Sequence, residues 1–488
     1  MTSDQRILRN PATGVTVDLQ MTTPTDAVTF GPALAAMAAL EGGAMANPEE
    51  ERQVGHYWLR DPSLAPLPEI QTAIRESWAA IEALDVTGFD TVLQVGIGGS
   101  ALGPELAIDA LAQRGARQFH ILDTVDPSGI RRIMDEIDLK RTVVIVASKS
   151  GNTLETRAAT RIVESAFAAS GLTFEDHAVA ITSPGSPLAK HAEGWRATLP
   201  VWSWVGGRTS ITSAVGLLPM YLCGIDIHAF LEGARQMDAW TRSPAGDNPA
   251  AQLAALWANS ANHTASILPY CDGLRLLGRY LQQLVMESLG KASSRSGEPR
   301  NFGLTVLGNK GSADQHALVQ QLREGPHGVI NHFVHVGHSH ETDPLFRDAS
   351  DLQFSLMLGT QHALAEVNQP VVSIGVPALD ARSLGAIIAL FERTVGLTAE
   401  LLDINAYNQP GVESGKREAR FQLDVLHTLQ SALTAVPTTS GELATKMELE
   451  PAMVWRLCNH LTQTGRAAIT RGKSASEDRF QAVENSAK

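Results

Sequence analysis

The 488-residue chain is short of cysteine, of long apolar runs and of positive charge. Its three cysteines, Cys223, Cys271 and Cys458, are scattered with no CxxC pair, which argues against a disulfide framework and a zinc site. No 18-residue apolar run suggests a membrane span, and the start MTSDQRILRNPATG lacks the apolar core of a signal peptide. A cytoplasmic location is therefore expected. The formal charge of -13 speaks against generic binding to nucleic acid or to an anionic membrane, so an anionic substrate needs a local positive pocket. Nucleotide signatures are missing too. GxxxxGK[ST] does not occur, and the turn at Gly96, Gly98, Gly99 and Ser100 reads GxGGSxLG rather than GxGxxG. No acidic residue clearly ends a second strand at the distance a dinucleotide site needs, which sets a dehydrogenase aside.

What remains is an ordinary globular composition, 44% apolar and 19% charged, long enough for two to four domains. The stretch Arg141 to Thr160 organises the first half. Val143 to Ala147 is a short, β-branched apolar run that reads as a buried strand of a parallel sheet. It breaks into Ser148-Lys149-Ser150-Gly151-Asn152-Thr153, and Leu154 opens an alanine-rich helix. A loop of hydroxyls, one lysine and open N–H groups at a helix N-terminus suits a phosphate that is held but not transferred. A capped turn with no ligand is the bland alternative. Before it, Asp90 to Gly103 reads as strand, glycine turn and helix, and Gln118 to Asp123 as a further strand. This order predicts a doubly wound α/β unit with its ligand at the strand C-terminal ends. Arg208, in the glycine-flanked turn Val205-Gly-Gly-Arg-Thr-Ser, can aim a guanidinium at an oxyanion or pair at the surface.

A second α/β unit begins near Leu274. An apolar helical pattern from Leu276 to Met286 ends in Glu287-Ser288-Leu289-Gly290-Lys291, and the strand Phe302 to Gly308 leads to Asn309-Lys-Gly-Ser-Ala-Asp-Gln-His. His316 thus opens a helix, whose dipole favours a neutral imidazole suited to proton transfer. Strands are expected at Val329 to Val336 and Val371 to Val376, and a helix at Leu384 to Val395. Lys416 closes the polar loop Tyr407-Asn-Gln-Pro-Gly-Val-Glu-Ser-Gly-Lys. Two units of one plan suggest internal duplication. Residues 1–85 read as an N-terminal helical extension without chemistry.

Together these stretches resemble the glucose-6-phosphate isomerase family, built from two sugar-isomerase (SIS) domains, over about Gly55 to Lys416. The resemblance implies two doubly wound, flavodoxin-like α/β/α domains at 86–235 and 236–420. It also implies a cofactor-free and metal-free aldose–ketose isomerase of glycolysis and gluconeogenesis, acting on glucose 6-phosphate and fructose 6-phosphate. VGIGGSALGP then carries a sugar-binding serine, Ser100. SKSGNTLET resembles the phosphate loop, so Ser148, Lys149, Ser150 and Thr153 hold phosphate, with Glu155 in the surrounding network. GGRTS carries the arginine that stabilises the intermediate, Arg208, and MESLGK carries the catalytic glutamate, Glu287. DQHAL supplies the ring-opening histidine, His316. YNQPGVESGK implies that Gln409 touches substrate and Lys416 assists ring opening. Thr209 stands where the family usually has an aromatic, which alters one wall rather than the chemistry. In this family the site lies at a homodimer interface, with the histidine from the partner. A non-catalytic SIS sensor of sugar phosphates would have no use for Glu287, Arg208 and Lys416 together. Mannose 6-phosphate as a further substrate stays open, since epimer discrimination depends on pocket shape.

Residues 421–488 exceed that body. A helix from Phe421, a capping-box-like start at Ser440 and Leu443, a helix from Pro451, and strands at Ala467 to Lys473 and Asp478 to Val483 resemble a winged-helix domain. Its near-neutral charge favours an interaction or packing role over nucleic-acid binding.

Overall fold

The computed structural model describes residues 6–20, 29–113, 115–259, 263–308, 310–338 and 343–483, so Asn309 lies outside the described residues. Alternation comes first. Val15, Val17 and Leu19 are buried while Thr16 and Asp18 between them are less so, the period of a half-buried strand. This builds a hairpin of β1 (Arg6–Arg9) and β2 (Thr16–Gln20). The segment expected as a helical extension does form helices at Gly31–Glu41 and Pro68–Glu82, but it also supplies these two strands.

The first parallel sheet holds β3 (Thr91–Val95), β4 (Gln118–Leu122), β5 (Thr142–Ala147), β6 (Ala178–Thr182) and β7 (Ala197–Pro200) in the order β4-β3-β5-β6-β7. Every residue of β3, β5 and β6 is buried, as continuous apolar runs in a sheet covered on both faces should be. The order reverses between β3 and β5. The loops leaving these two neighbours, Gly96 to Ser100 and Ser148 to Thr153, therefore flank the crevice where doubly wound sheets take ligands.

The second sheet contains β8 (Thr264–Tyr270), then, after a two-stranded ribbon of β9 (Lys291–Ser293) and β10 (Pro299–Phe302), β11 (Thr305–Gly308), β12 (Val329–His338) and β13 (Val371–Ala378). Its order is β1-β2-β13-β12-β8-β11; β8, β11, β12 and β13 are parallel, and the β1–β2 hairpin closes one edge antiparallel to β13. The helix Ala381–Leu402 is buried without interruption from Ser383 to Ala399. An all-round buried helix belongs at the centre of a core, and it packs on the helices Ile227–Trp240 and Pro249–Ala258.

The chain divides into compact units at 1–408 and 409–488. The boundary lies earlier than about Arg420 because the helix Pro410–Ala432 runs unbroken through that point. In the second unit this helix is followed by β14 (Thr438–Thr439), helices Ser440–Met447 and Pro451–Gln463, and β15 (Ala467–Thr470) antiparallel to β16 (Arg479–Ala482). Its own core gathers Leu429, Val454, Cys458, Leu461 and Phe480. The capping box forms one residue before the expected serine. Thr439 Oγ1 accepts from the Glu442 N–H at 3.2 Å, and Glu442 accepts from the Thr439 N–H at 2.8 Å. Among the described residues no helix is long and apolar enough to cross a membrane.

Candidate active site

The hydroxyl-rich loop forms because Gly151 adopts φ +66°, where a Cβ would also collide with the backbone at Leu188. Ser148 is buried, its hydroxyl 3.1 Å from that of Thr153, while Ser150 is exposed and accepts from the Asn152 N–H at 3.2 Å. Thr153 is the N-cap of the helix Leu154–Ala169 but makes no side-chain cap bond, so the first-turn N–H groups stay available to an anion. Half-buried Glu155 stands in that first turn. Lys149 does not extend over the loop. Its Nζ donates to the carbonyls of Ser203 at 2.8 Å and Val205 at 2.6 Å, tying the loop to the turn that leads to Arg208. Burial, then the charge of Arg52, lowers this ammonium to about 8.

Ser100 ends the 3-10 turn Gly98–Ser100 and is half-buried. At Gly99 a Cβ would collide with the carbonyl of Gly207, so only glycine lets the β3 loop lie against the Arg208 turn. Arg208 sits in the 3-10 segment Gly207–Thr212, almost wholly buried. Its Nη1 donates to the Ala406 carbonyl at 2.9 Å and to Ser288 Oγ at 3.3 Å, and its Nη2 to the Asn408 carbonyl at 3.2 Å. Its Nε lies 3.3 Å from Glu287 Oε2.

Glu287 follows a wide π-helical turn, Gln282–Met286, that interrupts the expected helix after Leu277–Leu281. Such turns recur at functional sites because they re-aim the next side chain. The Glu287 carboxylate is 16% exposed, and its Oε2 accepts no hydrogen bond from any described residue. A carboxylate with a free lone pair beside a fixed guanidinium can take up and return a proton next to a developing oxyanion.

His316 stands in the first turn of the helix Gln315–Glu324, exposed to solvent. Among the described residues no hydrogen bond or ion pair joins it to Arg208 or Glu287. Gln409 and Lys416 belong to the second unit. Gln409 is the N-cap of Pro410–Ala432, and Lys416 is exposed on that helix, 2.9 Å from Glu413. The first unit thus brings together Ser100, the Ser148–Thr153 loop, Arg208 and Glu287, and among the described residues no hydrogen bond or ion pair ties His316 to Arg208 or Glu287.

Sequence reasoning missed four residues around this centre. Arg52 donates to the Tyr407 carbonyl at 2.9 Å and to the Ser203 carbonyl at 3.4 Å, and pairs with Glu50 at 2.6 Å. Lys291 donates to the carbonyls of Glu287 at 3.0 Å and Asn408 at 2.9 Å. His56 is buried, and its pKa is held far below the usual range by burial and then by Arg60, Arg393 and Arg52. It shares a cavity of about 20 Å³ with Arg52, Arg208, Ser288, Glu392 and Tyr407, room for one water. Arg60 meets Asp238 at 2.7 Å and also Glu392, all fully buried, and Arg393 meets Glu41. A usable signal was present for two of these: in Val54-Gly-His-Tyr-Trp-Leu-Arg60 a histidine and an arginine interrupt an otherwise apolar run.

Comparison with known proteins identifies the family. Residues 35–365 and 355–441 match the family described as Phosphoglucose isomerase. A glucose-6-phosphate isomerase of Synechococcus elongatus is 46% identical over 475 residues, covering 91% of this chain and 89% of that protein. One from Trichormus variabilis is 44% identical over 476 residues, covering 91% and 90%. Among solved structures, a glucose-6-phosphate isomerase from Chlamydia trachomatis superposes with a TM-score of 0.75 at 26% identity, covering 81% of this chain and 84% of that one. The chain belongs to the phosphoglucose isomerase family.

Proposed function

We infer that this chain interconverts D-glucose 6-phosphate and D-fructose 6-phosphate, the aldose–ketose step of glycolysis and gluconeogenesis. The observation that carries the reading is the Glu287 carboxylate, largely withdrawn from solvent and 3.3 Å from the Arg208 guanidinium. Glu287 removes the C2 proton of the opened aldose and delivers it to C1, passing through a cis-enediolate, with no change in overall proton count. Arg208 neutralises the oxyanion as it forms and does not itself deprotonate near neutral pH. Ser148, Ser150, Thr153 and the open helix N-terminus take the C6 phosphate, with Lys149 adding positive charge behind the loop. Ser100 and Gln409 contact the sugar. Binding of the unreactive phosphate end positions the reacting carbons.

His316 and Lys416 are assigned the proton exchange between O1 and O5 that opens the ring. His316 is exposed in its own chain, which supports a homodimer in which the partner's histidine completes the site. A row of exposed apolar side chains on the helix Pro344–Ala365 supports the same assembly; Leu345, Phe346, Leu352 and Phe354 are 78%, 53%, 61% and 48% exposed. The second unit, with two helices followed by an antiparallel pair of strands, is assigned to a winged-helix-like interaction module. A cytoplasmic site of action fits the scattered, unpaired cysteines.

The test is a coupled assay of fructose 6-phosphate turnover beside Glu287→Gln. The expected result is turnover in the wild type and a rate at least ~10³-fold lower in the variant, with sugar-phosphate binding retained. Near-normal kcat in Glu287→Gln refutes the base. A wild type that binds sugar phosphate without turning it over moves the assignment to a sensor.

A further inference from the structure

Three consecutive carbonyls, those of Ala406, Tyr407 and Asn408, each accept from a cation. Arg208 bonds the first and third, Arg52 the second, and Lys291 the third. The turn is braced from within: the Tyr407 N–H donates to Asn405 Oδ1 at 2.9 Å, and Asn405 Nδ2 donates to Asn47 Oδ1 at 2.9 Å. Two of these cations also reach the base: Arg208 faces its carboxylate, and Lys291 grips its main chain. Lys291 Nζ reaches the main-chain carbonyl of Glu287 at 3.0 Å, from the first residue of β9.

We propose that Lys291 is a positioning residue of the isomerisation, its ammonium fastening the Glu287 peptide to the turn that also seats Arg208. Base and oxyanion cation then share one frame. Without that link the short helix Glu287–Leu289 would be held to the turn through Arg208 alone, by Ser288 Oγ at 3.3 Å and the Glu287 carboxylate. Of these, the carboxylate contact weakens whenever Glu287 takes up the proton. A tether through the main chain leaves the carboxylate free to react, whereas a tether through the side chain does not. The ammonium faces Arg208, Glu287, Glu49 and Glu50. Burial and then Arg208 lower it to about 8, so the position costs desolvation that the two carbonyl bonds must offset.

This inference rests on the isomerase reading, and the experiment separates the two. Initial rates with fructose 6-phosphate are measured for the full chain, Lys291→Met, Lys291→Arg and Glu287→Gln, with near-UV circular dichroism of each. An ångström of misplacement costs about 100-fold, so Lys291→Met is expected to lose ~30–100-fold in kcat with KM within about threefold of wild type. Lys291→Arg, which keeps a charged donor, is expected to return to within about fivefold of wild-type kcat. A kcat within about threefold of wild type in Lys291→Met, beside an inactive Glu287→Gln, overturns the positioning role alone. Activity lost together with the native near-UV spectrum, and unrestored in Lys291→Arg, overturns it in favour of a purely structural role. A silent wild type overturns the isomerase reading and this inference with it.

Discussion

Replacing Arg208 with lysine keeps the charge and removes the fork. In the native site the guanidinium spends three separate nitrogens on fixed partners: Nη1 on the Ala406 carbonyl at 2.9 Å, Nη2 on the Asn408 carbonyl at 3.2 Å, and Nε facing Glu287 at 3.3 Å. A single ammonium cannot span all three directions, so it settles on one side. If it stays with the carbonyls, the face toward Glu287 and the oxyanion is vacated. If it moves to the carboxylate, a buried carbonyl is left unsatisfied, at about 1–3 kcal/mol. Losing one aligned oxyanion donor costs about 100- to 1000-fold in kcat, or ~2.7–4 kcal/mol. Arg208→Lys should therefore fall in that range, with a much smaller change in KM because the phosphate loop is untouched. The check is steady-state turnover of fructose 6-phosphate, reading glucose 6-phosphate through an excess of coupling dehydrogenase. A kcat within about fivefold of wild type, or a loss confined to KM, would refute the claim that the fork acts in the transition state.

The buried ion cluster behind the site predicts a stability effect. Arg60→Met strands Asp238 and Glu392, both buried, so ~3–5 kcal/mol is expected to be lost, read as a melting point lower by roughly 3–6 °C for a unit of this size. An unchanged melting point would mean that the carboxylates become neutral without cost. A pH effect follows from Lys149 and Lys291, both lowered to about 8. Below that pH both are ammonium ions. Above it both lose the charge, so log kcat/KM should fall with a slope approaching two per pH unit on the alkaline side. A profile flat to about pH 9.5 would show that neither charge is needed.

The parts of the fold that were legible are those whose signal is local. The β-branched run Val143 to Ala147 and the break at Ser148 are both properties of a few adjacent residues, and so are the glycines of the β3 turn. From them follow the strand, the loop and the switch point. The role of Gly99 follows only in part: its freedom of φ is readable, but its backbone contact with Gly207 is not. The Ala406–Asn408 turn was invisible for a related reason. Its working atoms are main-chain carbonyls, which every residue type carries, so nothing in Ala406 or Tyr407 announces that Arg208 and Arg52 will bind there. Lys149 shows the opposite limit. Its place in a hydroxyl loop suggests direct contact with phosphate, while the nearby carbonyls of Ser203 and Val205, brought in by the fold, claim two of its three protons first.

The buried charges could have been paired from sequence by a physical argument. An arginine inside an apolar stretch must find a carboxylate, because an unpaired buried ion costs several kcal/mol. Val54 to Arg60 contains one such arginine, and in the helix Ala381–Leu402 the apolar run Leu384 to Phe391 leads into the adjacent pair Glu392 and Arg393. Each anomaly demands a partner of opposite sign in a segment that is itself buried, and the two segments satisfy part of each other's demand: Arg60 takes Glu392. What is left over, Arg393, goes to Glu41, at the end of a helix in the same N-terminal segment. Asp238 then shares Arg60, and Arg242 reaches Glu41 from the edge at 2.7 Å, so three carboxylates meet three guanidinium groups. The N-terminal segment is thus bound to the central helix by charge, while its hairpin is bound to β13 by strand pairing. The cavity behind Arg208 is lined from both, by Arg52 and His56 on one side and Glu392 on the other, so rigidity of this cluster is rigidity of the wall against which Arg208 works.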